Sequence, residues 1–128
     1  LNTLFQISCI SCGKSHILVR SLIRQFCSIG DYSFIGMSTS ITMDIPAYVK
    51  VAANPARVIG LNSVGMSRNN ISAGSISLIK KAYKLVYRKG LKIDDAIKKS
   101  QKLNEGVDDP FLNIFIQSLE VSERGILR

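Results

Sequence analysis

The chain has 128 residues, enough for one ordinary domain or for two small ones packed together. Its hydrophobic content of 46% excludes wholesale disorder, and no apolar run reaches the roughly 18 residues of a membrane-spanning helix. The net charge of +8 predicts anionic partners, such as phosphorylated small molecules, an acidic carrier protein or nucleic acid. No signal peptide is recognisable, and because the chain starts at Leu1 we expect the natural N-terminus to be missing.

The first cysteines and the histidine lie close together near the start of the chain. Cys9, Cys12, His16 and Cys27 could be drawn as zinc ligands, but their spacing fits no zinc ribbon or finger. We therefore expect no metal and no cofactor. The three cysteines are an odd number without any sign of secretion, which predicts reduced thiols and a cytoplasmic protein.

Isoleucine then recurs at every sixth position, at residues 17, 23, 29, 35 and 41. The fifth position of these hexads is small in four of them, namely Ser21, Cys27, Ser33 and Thr39, and is Ile45 in the last. An α-helix cannot keep positions six apart on one face, whereas a parallel β-helix stacks one aliphatic and one small residue inside every coil. The repeat therefore predicts a short β-helix, in which Gly30 and Gly36 occupy corners with positive φ.

The six-residue period stops at Ala47. Pro46 and Pro55 indicate two loops, and we expect the chain to return to the repeat register at Ile59.

Beyond Asn70 the apolar spacing becomes helical. The first predicted helix presents an apolar stripe that consists of Ile76, Ile79, Tyr83, Val86 and Tyr87. Ser72 or Ser75 caps its start and Gly90 closes its end. A second helix is predicted over residues 94–103, and the sequence Asp108-Asp109-Pro110 predicts the start of a third. The predicted domains are a β-helix over residues 1–70, degenerate and truncated before about residue 20, and a helical domain over residues 71–128.

Nine basic residues lie between Lys80 and Lys102. They form either the solvated face of a helix or a dedicated surface for an anionic partner, and the sequence leaves both interpretations open.

Five segments, at residues 23–30, 44–49, 60–65, 82–88 and 122–128, closely resemble one family. It is the acyl-[acyl-carrier-protein]–UDP-N-acetylglucosamine O-acyltransferase family of hexapeptide-repeat enzymes, which starts lipid A synthesis. The resemblance implies a left-handed parallel β-helix followed by a small helical domain, and a homotrimer with active sites between subunits. It also implies transfer of a 3-hydroxyacyl group from acyl carrier protein to the 3-hydroxyl of UDP-N-acetylglucosamine.

The family's catalytic base is a histidine upstream of the segment that matches Gln25 and Phe26. Ser8 occupies the corresponding position, so no catalytic base can be carried over to this chain. His16, the only histidine, is expected to be a solvated residue at a corner rather than a displaced base.

The resemblance carries over more binding positions than catalytic ones. Arg24 and Gln25 would line the substrate cleft, and Met37 matches the ruler of the acyl chain, where its bulk predicts a shorter chain. The positions of Asn62, Arg68 and Asn69 match residues that hold the nucleotide end of the sugar nucleotide. Arg24, Gln25 and Met37 could also be ordinary surface residues. Val64 and Asn69 depart from the family's usual glutamate and arginine, which weakens the expected grip on UDP.

Three functions therefore remain open. The first is the acyltransferase reaction itself, and the second is a non-catalytic remnant that binds sugar nucleotide or carrier protein, or only forms trimers. The third is a basic nucleic-acid-binding module, which is disfavoured because aromatic residues are not interleaved with the basic run.

Overall fold

The computed structural model describes residues 15–17, 22–23, 27–53, 55–122 and 125–128. Within these ranges the strands are β1 (His16–Ile17), β2 (Leu22–Ile23), β3 (Phe34–Ile35), β4 (Ser40–Ile41), β5 (Val49–Ala52) and β6 (Arg57–Leu61). The helices are α1 (Ser63–Arg68), α2 (Ala73–Tyr87), α3 (Ile93–Leu103) and α4 (Pro110–Glu120).

Parallel pairing stacks the short strands at the spacing that the repeat predicts. Strand β1 pairs with β3 and β2 pairs with β4, so that each isoleucine faces the one three hexads later. Strand β3 pairs in parallel with β5, and an isolated parallel bridge joins Ile29 to Ile45. In both cases the paired residues are separated in sequence by two residues fewer than three hexads. Coils of three short sides stacked on one another produce this pairing. The left hand of the β-helix stays a prediction.

The interior of these coils contains the residue types that the hexads predict. Four isoleucines of the first position are at most 3% exposed: Ile23, Ile29, Ile35 and Ile41. The small residues of the fifth position are fully buried: Cys27, Ser33 and Thr39. Ser33 satisfies its hydroxyl by donating to the carbonyl of Gly30 at 2.7 Å. A larger side chain would have no room there, since the stacked coils bring their interiors into direct contact.

The predicted reason for the two corner glycines is wrong. Positive φ occurs two residues later, at Tyr32 and Ser38, and at neither Gly30 nor Gly36. Glycine is required because the next coil approaches closely: a Cβ on Gly30 would overlap the backbone of Ala47. A Cβ on Gly36 would lie 2.9 Å from the Cβ of Ala52.

The predicted return to the repeat register at Ile59 is also wrong. After the turn that contains Pro55, β6 runs antiparallel to β5 at the edge of the sheet with the order β1-β3-β5-β6. Ile59 is consequently 58% exposed instead of lying in the isoleucine stack. A reversal of chain direction ends the coil stacking, and hexad counting does not detect it.

The three predicted helices are present, with the expected starts. Ser72 caps α2 by accepting from the N–H of Ser75 at 3.2 Å, and Asp109 caps α4 by accepting from the N–H groups of Phe111 and Leu112. Gly90, with φ of +65°, follows the end of α2. Helix α1 was not predicted, because six residues with Met66 as the buried side chain are too short to show a helical period.

Several contacts fasten the helices to the coils. The hydroxyl of Tyr48 donates to the carbonyl of Phe111 at 2.8 Å, and the N–H of Ala47 donates to the hydroxyl of Ser118 at 2.9 Å. Near its end the chain returns to the coils, where Ile126 forms a parallel bridge with Asp44. Both predicted domains contribute to one core, and their boundary at residue 70 stays a prediction.

In the described part of the chain, none of the helices combines the length and the apolar character that crossing a membrane requires.

Candidate functional site

A cavity of about 430 Å³ lies between the outer face of the four-stranded sheet and helix α1. Strands β1, β3 and β5 provide one wall and α1 with its flanking residues provides the other. The side chains that determine its chemistry are His16, Phe34, Lys50, Asn62, Arg68 and Asn69.

The sheet wall of the cavity is a row of three side chains from successive coils. His16 is the partner of Phe34 across β1 and β3, and Phe34 is the partner of Lys50 across β3 and β5. The imidazole of His16 stacks on the Phe34 ring, with 5.7 Å between centroids and 20° between planes. The ammonium of Lys50 lies 5.6 Å from the centroid of the same ring. An aromatic ring thus lies between two basic side chains, an arrangement that attracts planar and anionic groups.

Asn62 connects the coils to helix α1. Its side-chain N–H donates to the carbonyl of Tyr32 at 2.9 Å, and its side-chain oxygen accepts from the N–H of Gly65 at 3.1 Å as the helix cap. A side chain on Gly65 would collide with this amide. Asn62 therefore sets the position of α1, and its second amide hydrogen is the donor left for a ligand.

The last turn of α1 presents Arg68 and Asn69 to the cavity. The Asn69 amide donates to the carbonyl of Gly65 at 2.7 Å, which closes the helix. The guanidinium of Arg68 is exposed and bonds to none of the residues that the structure describes. Its five donors are therefore available to an anion, and a phosphate matches their forked geometry.

The electrostatic character of the cavity is basic. Lys50 and Arg68 contribute two positive charges, and no Asp or Glu is found among its described lining residues. An anionic ligand would thus face a positive charge on each wall, and the Phe34 ring offers an apolar surface between these charges.

The predicted site residues divide into three groups. Asn62, Arg68 and Asn69 line one cavity, and their assignment to a nucleotide stays a prediction. Met37 is 60% exposed in the turn after β3 and is not part of this cavity's lining. Ser8, Arg24 and Gln25 lie outside the described residues, and their roles stay predictions.

The hexad position of His16 predicts a solvated corner. Its side chain is exposed, but its backbone belongs to strand β1. The ring lines the cavity, where it stacks on Phe34. The sequence pattern did not indicate Phe34 or Lys50, although counting three hexads from His16 leads to Phe34. Their proximity depends on how the coils stack, which residue types do not reveal.

The zinc interpretation gains no support from Cys27, which is fully buried in the stack of small residues. Among the described residues no group of three or more His, Cys, Asp or Glu side chains could hold a metal ion, and Cys9 and Cys12 lie outside them.

Comparison with known proteins identifies the family. A family model described as UDP-N-acetylglucosamine O-acyltransferase, domain 2, matches residues 44–127. The chain belongs to this family.

Individual relatives agree with this assignment. The acyl-[acyl-carrier-protein]–UDP-N-acetylglucosamine O-acyltransferase of Ectopseudomonas mendocina is 44% identical over 108 residues, which cover 84% of this chain and 41% of the relative. The solved structure of LpxA from Acinetobacter baumannii superposes with a TM-score of 0.83 at 40% identity, covering 89% of this chain and 44% of that one. The UDP-N-acetylglucosamine acyltransferase of Arabidopsis superposes with a TM-score of 0.80 at 27% identity, covering 90% of this chain and 43% of that one.

The chain therefore spans about two fifths of the length of these relatives, with 41% of the Ectopseudomonas enzyme covered. It corresponds to the part of the family's enzymes that includes the last coils and the helices. The acyltransferase assignment applies to the family, and the activity of this chain is a separate question.

Proposed function

We propose that this chain serves the transfer of a 3-hydroxyacyl group from acyl carrier protein to the 3-hydroxyl of UDP-N-acetylglucosamine, the first step of lipid A synthesis. Its own part in that reaction is to bind the nucleotide end of the acceptor in the cavity beside α1. The observation that carries the proposal is the exposed Arg68 guanidinium, which shares this cavity with Lys50 and Asn62.

A sugar nucleotide fits the chemistry of this cavity. The diphosphate provides anionic oxygens that Arg68 can bind through two parallel N–H donors, and Lys50 adds a second positive charge. The Phe34 ring, stacked with His16, offers a flat surface for a base or a sugar. Asn62 keeps α1 and therefore Arg68 at a fixed distance from the coils.

Transfer to the sugar hydroxyl further requires a group that removes its proton. By resemblance that position is Ser8, which is not a base, and His16 stacks on Phe34 at the sheet wall. These residues favour a second candidate function, in which the chain binds sugar nucleotide without transferring an acyl group.

The remaining inferences from the family belong to this proposal. The coils form a left-handed β-helix, three chains associate as a homotrimer, and the protein acts in the cytoplasm. Arg24 and Gln25 would contact the sugar, and the exposed Met37 would end the groove for the acyl chain early.

The nucleotide part is tested by isothermal titration calorimetry with UDP-N-acetylglucosamine. The substitution Arg68→Ala should weaken binding by about tenfold or more, as expected for loss of a charge-assisted contact. Arg57→Ala is the matched control, because Arg57 is an exposed arginine on β6 outside the cavity lining, and it should leave binding unchanged. Equal binding by both variants, or no binding to the unsubstituted chain, would refute the proposal.

The transfer part is tested by incubating the chain with UDP-N-acetylglucosamine and 3-hydroxyacyl carrier protein and measuring acylated sugar by mass spectrometry. Turnover clearly above that of a reaction without the protein would assign catalysis to this chain, and unchanged turnover of Ser8→Ala would show that another residue is the base. Binding without turnover would establish the second candidate.

A further inference from the structure

We propose that His16 is a ligand-binding residue of the cavity beside α1, where its protonated imidazole adds a positive charge to those of Lys50 and Arg68. The inference rests on the proposed function, because the sugar nucleotide is the anion that this charge attracts. It assigns a role to the only histidine of the chain, and it makes the affinity of the cavity for its ligand depend on pH.

The imidazole of His16 is held at the cavity wall with both of its nitrogens available. The backbone N–H of His16 donates to the carbonyl of Ser33 at 2.9 Å, which fixes β1 against the next coil. The side chain is exposed and lines the cavity, and neither ring nitrogen bonds to a residue that the structure describes. A protonated imidazole therefore offers two N–H donors to a ligand.

The charged groups around His16 are cations. Lys50 of β5 lies beyond Phe34, with its ammonium 5.6 Å from the ring centroid, and Arg68 of α1 lines the opposite wall. Strand β3 contributes Phe34 and strand β6 contributes Leu61, neither of which is charged. No Asp or Glu is found among the lining residues that the structure describes. A proton on His16 would meet no carboxylate there, so its charge is left for the ligand.

The stack of His16 on Phe34 is compatible with both forms of the imidazole. A neutral imidazole packs against the phenyl ring as one aromatic side chain against another. A protonated imidazole is attracted by the electrons of the ring face, as the ammonium of Lys50 is. Uptake of a proton therefore requires no rearrangement of the cavity wall.

The charges of the other groups are constant over the range in which histidine titrates. Histidine changes its charge between about pH 5 and pH 8, where lysine and arginine side chains stay positive. The diphosphate of a sugar nucleotide is a diester, without the terminal phosphate that titrates near about pH 6. Because the anion favours the protonated imidazole, affinity should rise as pH falls. By the same linkage, binding near neutral pH should take up a proton.

The test is calorimetry with UDP-N-acetylglucosamine at about pH 5.5 and about pH 8, in about 50 mM salt. The unsubstituted chain should bind at least about threefold more tightly at the lower pH. His16→Gln, which stays neutral, should bind with the weaker affinity at both pH values. His16→Lys, which stays charged, should bind with the tighter affinity at both. The control Lys50→Gln should weaken binding but retain the dependence on pH.

Two further measurements use the unsubstituted chain. Calorimetry at about pH 7 in two buffers of different ionisation enthalpy should show proton uptake on binding. Since the chain has one histidine, NMR should show a single titrating imidazole Cε1–H signal, whose midpoint moves to higher pH when UDP-N-acetylglucosamine is saturating. These two measurements decide the question alone if a His16 variant does not fold.

Equal affinity of the unsubstituted chain at both pH values, without proton uptake, would overturn the inference and leave the proposed function intact. A dependence on pH that His16→Gln keeps would do the same. An equal loss of affinity at both pH values in His16→Gln would assign His16 a stacking role only and would also overturn the inference. If the chain binds no UDP-N-acetylglucosamine at either pH, the proposed function fails together with the inference.

Discussion

The hydroxyl of Ser122 donates a hydrogen bond of 2.6 Å to Oδ2 of Asp44, a residue that precedes it by 78 positions. Asp44 is 3% exposed, and its Oδ1 accepts from the N–H of Ser28 at 2.8 Å. The backbone of Asp44 also pairs with the chain end, donating to the carbonyl of Gly125 and accepting from the N–H of Leu127. The carboxylate of Asp44 thus joins its own coil to that of Ser28 and to the segment after α4, and its backbone holds the C-terminal residues.

Ser122→Ala should destabilise the protein by about 1–3 kcal/mol, because it leaves one oxygen of a buried carboxylate without its donor. Urea unfolding followed by circular dichroism measures the change in the free energy of unfolding. Ser77→Ala, at an exposed serine of α2, is the control and should change it by less than about 0.5 kcal/mol. A similar small effect of both substitutions would contradict the role assigned to Ser122.

Gly30→Ala should destabilise the coils strongly, by about 3 kcal/mol or more, since its Cβ would overlap the backbone of Ala47. Gly74→Ala is the matched substitution at a helical glycine whose Cβ would meet nothing within 4 Å. It should stabilise the protein by about 0.5–1 kcal/mol. Thermal unfolding of both variants shows the two opposite shifts of Tm, and a tolerated Gly30→Ala would mean that the coils are packed more loosely.

Asn62 offers a way to separate capping from ligand binding. Asn62→Ala should cost about 0.5–2 kcal/mol of stability, because it removes the cap of α1 and the hydrogen bond to Tyr32. Asn62→Asp retains an oxygen for the N–H of Gly65, but its second oxygen cannot donate to the carbonyl of Tyr32, and it places a negative charge near the expected diphosphate. We expect both variants to lose stability, and Asn62→Asp to lose more affinity for UDP-N-acetylglucosamine than Asn62→Ala, as measured by unfolding and calorimetry. The reverse order in affinity would place the phosphates away from Asn62.

The burial of two tyrosine hydroxyls predicts that the protein loses stability at alkaline pH. Burial raises the pKa of the Tyr48 and Tyr87 hydroxyls well above the ordinary value near 10. The Tyr48 hydroxyl donates to Phe111, and that of Tyr87 donates to the carbonyl of Leu127 at 2.7 Å. Above a pH of about 10 the unfolded phenols ionise while the folded ones stay protonated, so the free energy of unfolding falls as pH rises.

The double variant Tyr48→Phe/Tyr87→Phe should be less stable at neutral pH, because it lacks both hydrogen bonds. Its stability should fall less steeply than that of the unsubstituted chain above a pH of about 10. Urea unfolding at a series of alkaline pH values measures both slopes. Equal slopes would show that these phenols do not govern alkaline unfolding.

The sequence indicated the stacked coils because a repeat leaves its trace in every hexad. The buried isoleucines and the small residues Cys27, Ser33 and Thr39 follow from the period alone. Helix caps such as Asp109 are equally predictable, since a cap and the start of its helix are adjacent in the chain. The sequence does not predict β6, because its antiparallel pairing depends on a change of chain direction, or α1, because it is short and is fixed by a contact distant in sequence.

The candidate site also contains some residues that the sequence predicts and others that it does not. Asn62, Arg68 and Asn69 lie within eight positions of each other, so their meeting at one cavity could be predicted from local sequence and family resemblance. His16, Phe34 and Lys50 come together only through coil stacking, and the two-residue shortening before Lys50 hides that position from hexad counting. Exposure of Met37 likewise depends on the turn that carries it rather than on its residue type.

The most direct test of the nucleotide assignment is a crystal structure of the chain soaked with UDP-N-acetylglucosamine. We expect the diphosphate to lie in the cavity beside α1, with the Arg68 guanidinium about 3 Å from its oxygens and Phe34 beside the base or sugar. A sugar nucleotide bound elsewhere on the chain, with Arg68 still facing solvent, would contradict it.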